Sequence, residues 1–153
     1  MGARQFPSIA ALTTLVGEEL SVSDWLSVPQ SQIVAFAGAT HDHQWIHMDV
    51  ERAAREAPAG TTIAHGFLTL SLLAPLFAAA LDIGGTQMSV NYGFNRIRFT
   101  APVLSGDRIR ARFALGGYLD LAPGAQLTWN VTVERQGGEK PVLVAEWLMR
   151  RYP

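Results

Sequence analysis

A fifteen-residue run without a single charge, residues 67–81, limits what this chain can fold into more than any other stretch. Phe67, Leu68, Leu70, Leu72, Leu73, Leu76, Phe77 and Leu81 point in nearly every direction around a helix, and a helix apolar all round has to be enclosed all round. The run is shorter than the roughly 20 residues that cross a bilayer. It therefore reads as a core helix, beginning near His65-Gly66 and ending at Asp82-Ile83-Gly84-Gly85. Pro75 removes one backbone hydrogen bond inside it and is expected to bend it. The remaining residues have to supply a wrapper.

The C-terminal half has the pattern of one. Residues 89–99, 106–115, 125–136 and 140–152 read as extended, separated by turn signals at Pro102 to Gly106, at Gly116 to Gly124 and at Gly137-Gly138. Apolar and polar residues alternate clearly through 108–113 and 127–135, which gives those strands one wet and one dry face. Long successive strands with short connections predict an antiparallel meander, with an early strand at 18–23 added and the buried helix on the dry face. The expected class is α+β. Before the long helix, residues 5–18 suit a short helix or an extended arm. Residues 31–37 have helical spacing with Gly38 placed to end them, and residues 50–57 form a helix stopped by Pro58 and Gly60.

At 153 residues, with no repeats or linkers, one domain over 1–153 is expected. Apolar residues make up 48% and charged residues 16%, a balance that points to apolar surface covered by a partner subunit. A net charge of -1 argues against a general nucleic-acid binder or an electrostatically recruited membrane protein, since both need a basic excess. The absence of cysteine excludes disulfides, a thiolate nucleophile and a sulfur-rich metal site, and fits a reducing cytoplasm. Met1 to Pro7 lack the charged segment and apolar run of a secretory signal, so a cytoplasmic location is expected.

Just before the apolar run, residues 40–49 (Thr-His-Asp-His-Gln-Trp-Ile-His-Met-Asp) hold three imidazoles and two carboxylates. Asp42 and His47 are five residues apart, about 140° around a continuous helix, so they cannot share a helical face. In a loop they can converge on one small molecule, a carboxylate to accept a proton and an imidazole to donate one. Gly66 matters to the same chemistry, because the free N–H groups at a helix start stabilise charge developing on a carbonyl oxygen. A solvated turn with Asp42 capping a helix fits these residues equally well. His41, His43, His47 and Asp49 include metal-ligand types, but no partner motif such as a helical His-Glu-x-x-His accompanies them, and no metal is expected. No Gly-x-Ser-x-Gly elbow supports a serine hydrolase. Trp45, Ile46 and Met48 suit packing or the lining of an acyl pocket.

Asp42-x4-His47, then Ala64-His65-Gly66-Phe67 at the helix start, then Asn91-Tyr92-Gly93-Phe94-Asn95-Arg96-Ile97-Arg98-Phe99-x-Ala101-Pro102-Val103, resembles the MaoC-like dehydratases, or (R)-specific enoyl-CoA hydratases, and within them the nodulation protein N-like branch. The resemblance covers about residues 20–150. It implies a hot-dog fold, a long central helix wrapped by a strongly curved antiparallel sheet, and a homodimer. It also implies reversible hydration of trans-2-enoyl thioesters to (R)-3-hydroxyacyl thioesters. Asp42 would activate the water, His47 would exchange the α-carbon proton, and the Gly66 N–H would bind the thioester oxygen. His65, Trp45, Asn91 and Arg96 are the further residues expected to meet substrate. No cofactor is implied, coenzyme A or an acyl carrier protein arriving with the acyl group, and Arg96, Arg98, Arg52 and Arg55 are candidates for its phosphates. Many relatives carry Asn-Pro where this chain has Gln44-Trp45, and that change is expected to alter the acyl pocket. Thioester hydrolysis and non-catalytic acyl binding are the alternatives.

Overall fold

The computed structural model describes residues 2–153, and its largest feature is the expected curved antiparallel sheet. Three short segments come first: strand β1 (Arg4–Phe6), a 3-10 helix (Ile9–Leu15) and strand β2 (Glu19–Val22), with β3 (Leu26–Ser27) following. The arm at 5–18 thus contains both an extended piece and a helical one. Helices α1 (Gln30–Thr40), α2 (Trp45–Met48) and α3 (Val50–Glu56) then carry the chain to the apolar run. The long strands are β5 (Met88–Phe99), β6 (Arg108–Leu121), β7 (Gly124–Arg135) and β8 (Leu143–Tyr152).

The alternation read from the sequence sets the dry face. Ile109, Ala111, Phe113 and Leu115 of β6, Leu127, Trp129, Val131 and Val133 of β7, and Leu143, Ala145, Trp147 and Met149 of β8 are all buried. They close over Leu68, Leu72, Leu73, Leu76 and Phe77. Phe77 lies at the centre, its ring edge-on to Phe113, Trp129 and Trp147 at 5.1–5.7 Å. Edge-to-face pairs of this kind add to the stability that burial alone gives.

Four expectations change. The strand order is β2-β6-β7-β8-β5, so β6, β7 and β8 form the meander while β5 lies at the far edge against β8. The segment between β5 and β6 crosses over, pinned by Ala64 N–H to Val103 O at 2.8 Å and a bridge between Ile63 and Leu104. Second, the apolar run is two helices, α4 (Gly66–Ser71) and α5 (Leu73–Ala80), interrupted at Leu72, and residues 81–83 form β4 (Leu81–Ile83), parallel to β1. The break has a cause: Pro75 has no N–H for the Ser71 carbonyl and its ring crowds that oxygen. Third, the run is not enclosed all round, since Phe67, Ala74, Pro75, Ala78 and Ala79 are exposed on the chain's surface. Last, α1 continues through Gly38 and ends where His41 takes a left-handed conformation, φ 61°.

Candidate active site

The first residue of the site is placed by the end of α1. The left-handed turn at His41 throws the chain off the helix axis, leaving Asp42 exposed, with its Oδ1 3.4 Å from the Gln44 N–H. The short helix α2 then turns His47 inward until it is almost completely buried. Gln30 fixes this turn by donating from Nε2 to the His47 carbonyl at 2.7 Å while its Oε1 accepts from the Thr62 hydroxyl at 2.5 Å. Nothing in the sequence marked Gln30 for that role.

His47 Nδ1 donates to the carbonyl of Ile63 at 2.7 Å. A carbonyl can only accept, so Nδ1 carries the proton and, in neutral His47, Nε2 holds the lone pair. Against its ring stacks His65, centroid to centroid 3.8 Å and 25° between planes. His65 Nε2 donates to the backbone carbonyl of Asp42 at 3.0 Å, and its Nδ1 is buried with no hydrogen-bond partner among the described residues. His65 thereby ties the Asp42 loop to the start of α4. Burial pushes the His47 pKa below the ordinary 6.5. The Ile63 carbonyl opposes this, positive charge on His65 lowers it further, and Asp42 raises it. A neutral, base-competent imidazole is the result.

One side-chain donor atom each from Asp42, His47 and His65 lie within 4.8 Å of one another. A carboxylate and two imidazoles are metal-ligand types as well as acid–base groups. The same spacing suits a small molecule held between a carboxylate and an imidazole.

Gly66 opens α4 directly after His65, and first-turn N–H groups have no partner within the helix. It lines a cavity of about 330 Å³ with Ile63, Ala64, Thr69, Phe99 and residues 100–103. A Cβ at Gly66 would stand 3.2 Å from three atoms of the Phe99 ring, so glycine keeps this backbone open to a ligand. Phe99 was legible only as part of the motif and not as a wall of the site.

The other expected residues divide. Trp45 opens α2, one face of its indole covered by the Arg52 guanidinium at 4.2 Å, and it is absent from the lining of the Gly66 cavity. Asn91 accepts from Trp147 Nε1 at 2.7 Å and lines a separate groove under α5. Arg96 pairs in register with Glu146 and lies with Asn130 and Thr132 on the outer face of the sheet. Within one chain, the structure brings Asp42, His47, His65 and Gly66 together and leaves Asn91 and Arg96 apart from them. Asp49 caps α3 by accepting from the Arg52 N–H at 2.9 Å, and His41 and His43 are exposed. Arg52 also pairs with Glu56, and Arg98 donates to the carbonyl of Ile97.

Comparison with known proteins identifies the family. The profile of the MaoC like domain family matches residues 11–135. The 3-hydroxyacyl-thioester dehydratase Z of Mycobacterium tuberculosis is 48% identical over 148 residues, covering 96% of this chain and 97% of the relative. Nodulation protein N of Rhizobium meliloti is 46% identical over 143 residues, 92% of this chain and 89% of that one. Among solved structures, the R-hydratase PhaJ1 of Pseudomonas aeruginosa aligns with a TM-score of 0.70 at 26% identity, covering 90% of this chain and 81% of its own.

Proposed function

Because the chain belongs to the MaoC-like domain family and has its hot-dog fold, we propose that it is an (R)-specific hydratase/dehydratase interconverting trans-2-enoyl and (R)-3-hydroxyacyl thioesters. The observation that carries this reading is the convergence of Asp42 and His47, fifth neighbours in sequence, with His47 hydrogen-bonded to Ile63, a residue of the cavity that Gly66 also lines. In the dehydration direction, neutral His47 takes the C2 proton at Nε2, the C2–H electron pair forms the C2=C3 double bond, and the C3–O bond breaks. Asp42 delivers the proton that lets hydroxide leave as water. Hydration reverses each step, and one proton exchanged with solvent resets the pair. The Gly66 N–H faces the thioester oxygen as it gains enolate character, which lowers the barrier to removing the C2 proton.

The cycle uses proton transfers alone, with coenzyme A or an acyl carrier protein entering as part of the substrate. Hydration of crotonyl-CoA, followed by loss of the conjugated-enoyl absorbance, tests it. Asp42→Asn and His47→Gln should each lower the rate on the order of 100-fold to 10,000-fold. Full activity in both variants, or release of free thiol in place of hydration, would refute it.

A homodimer belongs to the same reading. β5 is a twelve-residue edge strand with no buried residue, and Met88, Val90, Tyr92 and Phe99 are exposed on it, with Phe67 edge-on to Phe99. A long unprotected edge with apolar side chains is unusual in a free monomer and favours pairing with another strand. No helix among the described residues is long and apolar enough to cross a membrane.

A further inference from the structure

The main chain of His47 is held from outside its own helix. α2 has only four residues, too few to give the His47 carbonyl oxygen a partner N–H within it. The His47 ring depends in turn on the carbonyl of Ile63, sixteen residues away. A single side chain reaches both places. Gln30, the first residue of α1, donates from Nε2 to the His47 carbonyl at 2.7 Å, and its Oε1 accepts from the hydroxyl of Thr62, the residue just before Ile63. Thr62 is completely buried, and its carbonyl accepts from the Ser105 N–H at 2.9 Å, which anchors it to the crossover between β5 and β6.

Chemistry fixes the direction of each bond. A backbone carbonyl only accepts, so the Gln30 nitrogen has to face His47 and its oxygen has to face Thr62. The threonine hydroxyl then has to donate. Loss of either side chain leaves a polar atom without its partner. A backbone bond from the Ile63 N–H to the Ile46 carbonyl at 3.0 Å already joins these two segments. Gln30 adds a second attachment, on His47 and on Thr62, beside the bond that keeps the proton on His47 Nδ1 and the lone pair on Nε2.

We propose that Gln30 and Thr62 are positioning residues for His47, a clamp from amide to hydroxyl that holds the ring in its Nδ1–H form with Nε2 free for proton transfer. The proposal rests on the hydratase reading of the site. Neither residue lines the cavity at Gly66, so the clamp acts through His47 and not on the substrate. Misplacing a catalytic group by about 1 Å costs on the order of 100-fold in rate, which is why the loss should fall on kcat and leave KM nearly unchanged.

Steady-state hydration of crotonyl-CoA and nitrogen NMR of the histidine-labelled chain, under mildly alkaline conditions where imidazole is neutral, form the test. Gln30→Met and Thr62→Val, which keep the shape and remove the polar groups, should each lower kcat at least 10-fold with KM within twofold of wild type. Thr62→Ser, which restores the donor, should keep kcat within twofold. The double variant Gln30→Met, Thr62→Val should be no slower than Gln30→Met alone, since one loss already opens the clamp. In the spectra, wild-type His47 should carry its proton on Nδ1, and both single variants should shift it toward the Nε2–H form. The proposal fails if both single variants keep kcat within twofold, if Thr62→Ser is as slow as Thr62→Val, if the losses multiply in the double variant, or if the variants are slow with an unchanged His47 ring. The spectra need no substrate, so a wild type that does not hydrate crotonyl-CoA refutes the proposed reaction, while an unchanged ring in both variants refutes the clamp. Thr62→Val and Thr62→Ser decide the matter if Gln30→Met does not fold.

Discussion

His47 gives its Nδ1 proton to Ile63 and keeps Nε2 for chemistry, and its depressed pKa follows first from burial. Two consequences separate with pH. Dehydration needs the neutral ring, so the acid limb of its rate should lie below pH 6.5, the ordinary value for histidine. Folding shows the matching penalty: as pH falls below 6.5 the unfolded chain binds the proton before the folded chain does. Stability is therefore highest above 6.5 and declines toward the folded pKa, and His47→Gln should flatten that decline in thermal melts. His65 acts on the same limb, since its positive charge helps hold the His47 pKa down. In His65→Gln the acid limb should move upward in a pH–rate profile, since both the stacked cover and the charge of His65 are lost. At Gly66, an alanine would press on Phe99 at 3.2 Å, so Gly66→Ala should lower turnover, and adding Phe99→Leu should recover part of it. Of these residues, Asp42, His47 and Gly66 stood out in the sequence because titratable density and a glycine at a helix start carry chemical meaning. Gln30 and Phe99 did not, because a glutamine before a helix and a phenylalanine on a strand acquire their roles only from what the fold sets against them.

At the scale of elements, the alternation of β6, β7 and β8 could be read directly because each strand has one face in water, and period-two burial leaves a period-two pattern. The position of β5 could not. Its neighbour is decided by how the sheet curves around α4 and α5, and neither edge leaves a local mark in the strand. The helix break was half visible: Pro75 announced a disturbance, but whether it would bend or interrupt depended on the packing of Leu72 and Leu73 beneath the sheet. Phe77 is the contact between helix and sheet most exposed to test. Phe77→Ala removes the ring shared by Phe113, Trp129 and Trp147 and should cost about 3–5 kcal/mol in denaturant unfolding. Trp129 contrasts with it, since its buried Nε1 has no hydrogen-bond partner among the described residues. Trp129→Phe gives up ring area but relieves that unsatisfied donor, and should cost well under the Phe77→Ala value.

For the whole molecule, the exposed stripe on α4 and α5 and the open edge of β5 are aspects of one surface. The low charge content pointed to covered apolar surface, and under the proposed homodimer the exposed Phe67, Met88, Val90, Tyr92 and Phe99 are the residues a second copy would cover. Light scattering should give twice the 16.6 kDa chain mass. A Phe67→Asp, Val90→Asp pair should shift it toward the single-chain mass, because each charge would be taken out of water at the contact.

The interruption at Leu72 bears on how this protein tolerates change over time. α4 presents Gly66 and holds His65, while α5 carries Phe77 into the aromatic centre. Joined as one rigid rod, they would convert any resizing of the core into a displacement of the catalytic turn. Joined through a turn at Leu72 whose ladder lacks the Pro75 N–H, they are coupled less rigidly. Resizing the sheet-facing residues of α5 should therefore disturb the geometry around Asp42 and His47 less than it would through a continuous rod.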